Sequence, residues 1–209
     1  MYTPSHYRSQ DPQLFVQLAQ AFPLACIVRH TGEGLQADHI PLHCYAQQDG
    51  SLILRGHVAR ANPLWRQAGE CLAVFQAEQG YISPNWYASK KIHGKAVPTW
   101  NYLVAHVQAD LRAIDDPVWL RSFLTELTAH HEAGQEHPWR IEDAPPDYTE
   151  KMLRAIVGIE LRVRSMELKC KCSQNREPAD LHSVIAALEQ GAPQQQALAQ
   201  AMARLAPSA

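Results

Sequence analysis

Apolar positions with helical spacing occur at both ends of the chain and again beyond its middle. The first such stretch begins at Asp11 and Pro12, an N-cap and first-turn pair, and ends before Pro23. The same signals predict four further helices, which begin at Pro117, Tyr148, Pro178 and Pro193. The predicted helices therefore flank a region that has a different hydrophobic pattern.

That region consists of short apolar or alternating runs separated by glycine-containing turns, which is typical of antiparallel strands. The predicted strands are Leu24–Val28, Ala37–Tyr45, Ser51–His57, Cys71–Gln76, Thr99–Ile114 and Gly158–Cys172. In the last strand the apolar positions are odd before Ser165 and even after it, which predicts a bulge or a change of pairing partner there. A helix, many strands and then helices indicate a β-barrel with helical decoration rather than an alternating βαβ fold.

The bulk composition narrows the function classes. The 209 residues carry a formal net charge of −2, so no whole-chain basic field favours nucleic acid. The N-terminus lacks the pattern of a secretory signal, no apolar run is long enough to cross a bilayer, and the five cysteines suit reduced thiols, so a cytoplasmic protein is expected. The spacing of the eleven histidines predicts no metal site.

Five segments combine polar, aromatic and turn residues beyond the needs of packing: Met1–Tyr7, Gly56–Trp65, Tyr81–Tyr87, Val97–Tyr102 and Lys171–Arg176. Their order and spacing resemble the PaiB-type family of FMN-binding negative transcriptional regulators, which is related to the split-barrel flavoproteins. The resemblance runs from Met1 to about Leu188 and departs at Cys172, where that family usually has leucine.

The resemblance implies a mainly β (α+β) fold, a split β-barrel of the FMN-binding type with peripheral helices and a C-terminal helical extension. It implies an FMN-binding domain over residues 1–175 and the helical extension over residues 176–209. It further implies a homodimer that holds FMN at the subunit interface.

The segment after the third predicted strand has the chemistry of a phosphate site. A strand-end turn exposes N–H groups, and a guanidinium supplies bidentate donors. The resemblance implies that Arg60 anchors the FMN phosphate, with His57 and Asn62 nearby. The alternative is that Arg60 makes a surface ion pair and His57 fills a corner of the core.

Residues from three other segments complete the expected cofactor site. In Ala37–Leu42, His39 and Pro41 share a face of a strand whose backbone would read the flavin's pyrimidine edge, unless it is an ordinary edge strand. The remaining candidates are a ring-stacking group and a donor-rich turn: Tyr81, Trp86, Tyr87, Trp100, Asn101, Lys171, Gln174 and Asn175. For the aromatic group the alternative is a buried core or a dimer contact, and for the turn it is helix capping by Ser173 or Asn175.

Three functions are compatible with this pattern. The first is a regulatory or sensor flavoprotein linked to negative transcriptional regulation. The second is a flavin- or haem-dependent oxidoreductase on the same fold, for which no catalytic residue can be named. The third is a direct DNA-binding repressor, which the charge balance supports least.

Overall fold

The computed structural model describes residues 1–206, within which eight strands and six α-helices occur. In chain order they are β1 (Arg8–Ser9), α1 (Pro12–Ala21), β2 (Leu24–Thr31), β3 (Gly34–Pro41), β4 (His43–Ala46), β5 (Leu52–Ala59), β6 (Gly69–Ile82), α2 (Lys90–His93), β7 (Thr99–Ile114), α3 (Pro117–Glu132), α4 (Pro146–Arg154), β8 (Ile156–Lys171), α5 (Pro178–Glu189) and α6 (Pro193–Arg204). Short 3₁₀ turns cover Ser5–Tyr7, Pro63–Arg66, Pro84–Trp86 and Ile141–Asp143. No helix in this range is long and apolar enough to span a membrane.

The strands form one sheet in the order β3-β2-β6-β7-β8-β5-β4, with β1 paired to β8. Strand β8 changes partner along its length, because Ile156–Arg162 pairs with β5 whereas Leu168 and Lys169 pair with β1. The change of partner predicted near Ser165 is therefore confirmed. It explains why the apolar positions change from odd to even along one strand, with Leu168 and Cys170 buried after the change.

The helix starts follow the local sequence. The Asp11 carboxylate accepts a hydrogen bond from the Gln13 N–H at 2.9 Å, and Asp116 caps α3 in the same way through the Val118 N–H at 2.8 Å. The prediction of a single strand over Ala37–Tyr45 was wrong. Pro41 has no N–H for a ladder, and the Leu42 N–H bonds to the Pro23 carbonyl at 2.8 Å, so the chain breaks into β3 and β4.

The described residues group into two compact units, which we name the terminal and the central unit. The terminal unit comprises residues 1–22, 75–106 and 166–206, and the central unit comprises residues 23–74 and 107–165. In the terminal unit Phe15 packs edge-to-face on Phe75 with ring centroids 5.5 Å apart, and α6 buries Leu198 and Met202.

The central unit packs α3 directly on β8. A Cβ atom placed on Gly158 would lie 2.3 Å from the Trp119 ring, so the absence of a side chain lets this ring lie against the strand. The largest side chains of its core are fully buried: Ile27, Leu42, Leu54, Leu64, Leu111, Leu120, Ile159 and Leu161.

Candidate functional site

Two segments predicted separately as cofactor-binding lie side by side in the central unit. The Asn62 side-chain amide donates to Asp38 Oδ1 at 2.8 Å and so ties the turn after β5 to β3. Within β5 itself, a Cβ atom placed on Gly56 would lie 2.8 Å from the Pro41 carbonyl oxygen of β3. The close approach of β3 and β5 at Gly56 therefore requires glycine and fixes the turn beside the end of β3.

Strand β3 has an unpaired edge. Within residues 1–206 its registered partner is β2 alone, and it ends the strand order of the sheet. His39 and Pro41 are both exposed on the outward face of this strand. An edge strand presents N–H and C=O groups to any ligand that can match them.

Arg60 is engaged in hydrogen bonds at all three nitrogens of its guanidinium. Its Nη1 and Nη2 donate to the Asp115 carboxylate at 2.8 and 2.6 Å, and Nε donates to the Arg154 carbonyl at 2.7 Å. The hydrogen bond from Arg60 holds the pKa of the Asp115 carboxyl below its ordinary value. The ion pair that was the alternative for Arg60 is thus present. A phosphate would have to share the Arg60 guanidinium with Asp115 or displace Asp115 from it.

Sequence reasoning missed a second guanidinium on the same turn. The Trp65 indole N–H donates to the Arg60 carbonyl at 3.0 Å, and the guanidinium carbons of Arg60 and Arg66 lie 5.8 and 5.7 Å from the Trp65 ring centroid. Arg66 is exposed, and among the described residues no carboxylate pairs with it. Among the sequence signals, the one available was an arginine three residues after a proline that begins a turn.

His57 faces the α3 layer. In β5 the residues Leu54, Gly56 and Val58 point into the core, so the intervening His57 points outward, where its ring lies 6.4 Å from that of Phe123. Burial lowers the pKa of the imidazole below its ordinary value, which favours the neutral ring.

The aromatic candidates of the terminal unit divide into exposed and buried members. Tyr81 and Trp100 are 48% and 49% exposed, with ring centroids 6.5 Å apart, and the Trp100 indole N–H donates to Gln79 at 3.2 Å. Trp86 is half-buried, whereas Tyr87 is 1% exposed. The first pair is available to a planar ligand, and Tyr87 belongs to the core.

Asn101 is fully buried and braces the turn after β8. Its side-chain amide donates to Ser173 Oγ at 2.9 Å, and Ser173 has a left-handed backbone with φ of 61°. A non-glycine residue in this region is held there by its surroundings. The Asn101 bond is one such restraint.

Two side chains of the Lys171–Arg176 turn, those of Lys171 and Gln174, form hydrogen bonds within the terminal unit. Lys171 Nζ donates to Thr99 Oγ1 at 2.6 Å and to the Trp100 carbonyl at 2.8 Å. Gln174 accepts from the N–H of Cys172, two residues earlier, at 2.8 Å.

Asn175 is exposed and accepts from the Tyr7 hydroxyl at 2.9 Å. Neither Ser173 nor Asn175 caps α5, whose N-cap is Glu177, so the capping alternative was wrong.

The predicted site residues therefore fall in two groups. The central unit holds His39, Pro41, His57, Arg60 and Asn62. The terminal unit holds Tyr81, Trp86, Tyr87, Trp100, Asn101, Lys171, Gln174 and Asn175. The donor set of the central group, two guanidiniums beside an unpaired strand edge, fits a ring that carries a phosphate, and the carboxylates of Asp115 and Asp38 oppose it.

Comparison with known proteins identifies the family. The family model described as "Putative FMN-binding domain" matches residues 1–165. The protease synthase and sporulation protein PAI 2 of Bacillus subtilis is 28% identical over 192 residues, which cover 90% of this chain and 89% of that protein. A protein of Emericella nidulans with no assigned role is 32% identical over 190 residues, covering 74% of this chain and 75% of its own.

Solved structures share the fold. An FAD- and haem-binding protein from Mycobacterium smegmatis aligns with a TM-score of 0.60 and 19% identity over 89% of this chain and 81% of that chain. A flavocytochrome from Azotobacter vinelandii aligns with a TM-score of 0.58 and 14% identity over 78% of this chain and 69% of that chain. The resemblance to PaiB-type proteins and the split-barrel expectation are thereby confirmed, and the chain belongs to the FMN-binding domain family, whose cofactor is FMN.

Proposed function

We propose that the protein is a regulatory or sensor flavoprotein, linked to negative transcriptional regulation, that works as a cytoplasmic homodimer with FMN at the subunit interface. The observation that supports it best is the unpaired edge of β3 beside the turn that carries Arg60 and Arg66. Flavin in such a site supplies reversible redox chemistry, and the chain's own residues bind and orient it. The oxidoreductase alternative gains no support, because the flavin- and haem-binding structures share the fold alone.

In this proposal the central unit binds the phosphate end and the pyrimidine edge of the cofactor. Arg60 and Arg66 neutralise the phosphate, with Asn62 holding the turn in place. The main chain beside His39 and Pro41 pairs with the polar edge of the ring. Binding of the doubly charged FMN phosphate weakens the ion pair between Arg60 and Asp115, because the phosphate and the carboxylate compete for the same N–H donors.

The terminal unit supplies the remaining candidates. Tyr81 and Trp100 offer an exposed aromatic wall for the ring of the neighbouring subunit's cofactor. Cofactor contacts of Lys171, Gln174 and Asn175, and the boundary between domains at residues 175 and 176, stay predictions. No residue is assigned a catalytic role.

Arg60→Ala and Arg66→Ala test the phosphate site, each with an expected loss of FMN affinity of about tenfold, the scale of one charged hydrogen bond. Quenching of flavin fluorescence during titration measures the dissociation constant. Arg121→Ala is the matched control, because its ion pair with Glu150 is as exposed as that of Arg60 with Asp115. Unchanged affinity in both variants would remove the phosphate from this turn.

The dimer and the regulatory role need separate experiments. Sedimentation velocity with and without FMN should give a dimer, and a monomer at micromolar concentration in both states would contradict the interface. A gel shift on promoter DNA that weakens steeply with salt would establish direct DNA binding. Its absence, with repression retained in cells, would direct the search to a protein partner.

A further inference from the structure

A cavity of about 350 Å³ lies in the central unit between β5, α3, α4 and the start of β8. Strand β5 contributes His57 to its lining, and α3 contributes Leu124 and Thr128. The remaining lining comes from the segment after α3, from α4 and from the start of β8: Trp139, Ile141, Ala144, Tyr148, Thr149, Met152, Leu153, Ala155 and Ile156. This volume is at the small end of the range for ligand sites.

The lining is apolar apart from a few neutral groups. Among the described lining residues none is a carboxylate, a lysine or an arginine, and His57 is the one ionisable imidazole. Within residues 1–206 the ring nitrogens of His57 have no hydrogen-bond partner. A neutral imidazole offers one donor and one acceptor, so the cavity holds an imidazole and the hydroxyls of Thr128, Tyr148 and Thr149 in an otherwise apolar wall.

Large apolar side chains converge on the mouth of the cavity. Trp139, Tyr148 and Met152 remain 47%, 55% and 39% exposed, although each contributes to the same lining. Burial of such surfaces releases roughly 25 cal/mol per Å². An uncharged aromatic molecule would cover all three while its polar group reaches the imidazole.

We propose that this cavity is a second ligand site, which binds a small uncharged aromatic compound. One N–H or O–H group of this compound donates a hydrogen bond to the unprotonated ring nitrogen of His57. A charged compound would meet no counter-charge in the lining, and an aliphatic one would forgo contact with the two aromatic rings at the mouth. The proposal does not rest on flavin binding. It assigns to His57 a ligand other than the flavin phosphate.

Isothermal titration calorimetry with indole and with benzofuran tests the assignment. The two compounds have nearly the same shape, but only indole carries the N–H. Indole should bind with submillimolar affinity, and about fivefold more tightly than benzofuran, as expected for one neutral hydrogen bond. In His57→Phe the two compounds should bind equally.

Ala144→Phe fills the cavity and should abolish binding of both compounds. Val118→Ala is the control, since Val118 is an exposed apolar residue of α3 outside the lining, and it should bind indole normally. Thermal melting verifies folding, and if Ala144→Phe does not fold, the loss of discrimination in His57→Phe decides the question.

Three results would overturn the proposal. The first is equal binding of indole and benzofuran to the unaltered protein. The second is that neither compound binds at a concentration of about 1 mM, at which weak ligands begin to saturate. The third is that the unaltered protein binds no indole and that Trp139→Ser loses self-association. That result would make the mouth of the cavity an interface between two copies of the chain.

Discussion

Two donor-rich turns, Arg60–Arg66 in the central unit and Lys171–Arg176 in the terminal unit, carry similar side chains and use them differently. In the second turn Lys171 and Gln174 bond to main-chain groups of their own unit, and Ser173 is tied to the buried Asn101. In the first turn Arg60 also bonds to main-chain carbonyls, but its carboxylate partner Asp115 is exposed, and Arg66 has no carboxylate partner among the described residues. Composition alone therefore does not separate the turn for which we propose a ligand from the turn that braces the fold; the exposed or missing carboxylate partners of its arginines distinguish the first turn.

The largest effect that would sharpen this comparison is expected at Asn101. Asn101→Ala removes a fully buried hydrogen bond to Ser173 and leaves a cavity, so the free energy of unfolding should fall by about 2–3 kcal/mol. Urea denaturation followed by circular dichroism measures it.

Asn175→Ala is the matched control for Asn101→Ala. Among residues 1–206 the exposed Asn175 side chain bonds to Tyr7 alone, so its removal should lower the free energy of unfolding by no more than about 0.5 kcal/mol. Equal costs for the two variants, or a loss of FMN affinity in still-folded Asn101→Ala, would contradict the bracing role of the second turn.

Local signals predicted most of the fold because they depend on neighbouring residues. Asp11 and Asp116 cap the helices that their positions indicated, and β7 has the predicted bounds Thr99–Ile114. The break at Leu42 was missed since its cause is a hydrogen bond to the distant Pro23 carbonyl. The hydrophobic pattern of a single strand does not predict long-range contacts of this kind.

The site was less predictable than the fold for the same reason. A ligand cannot reach the buried Asn101, whose side-chain amide donates to Ser173 Oγ and to the sulfur of Met202. Met202 lies 101 residues later in the chain. Arg66 carries no pattern that sets it apart from a solvated arginine. Only the structure places its guanidinium, with that of Arg60, against the Trp65 ring.

Buried histidines give the next prediction. Burial lowers the pKa of His43 and His57 in the central unit and of His106 in the terminal unit below the ordinary 6.5. A base with a lowered pKa in the folded state binds fewer protons there than in the unfolded chain, so stability rises with pH below 6.5 and is lost as the pH falls.

Between pH 7 and pH 5 the free energy of unfolding should therefore decrease. His57→Phe should flatten this dependence in urea titrations, whereas the exposed His182→Phe should leave it unchanged. A steeper fall in His57→Phe would show that the imidazole is protonated in the folded protein.

The smallest expected effect separates the two roles that Arg60 can have. If Arg60 only pairs with Asp115, then Asp115→Asn removes an exposed ion pair worth less than about 1 kcal/mol and leaves FMN affinity unchanged. If Arg60 also binds the phosphate, the same variant removes the competing anion, and FMN should bind about three- to fivefold more tightly. Glu150→Gln, which removes the partner of Arg121, controls for the loss of one surface charge. A gain of affinity in Asp115→Asn that disappears when Arg60→Ala is added would place the phosphate on Arg60, because two independent substitutions would add instead.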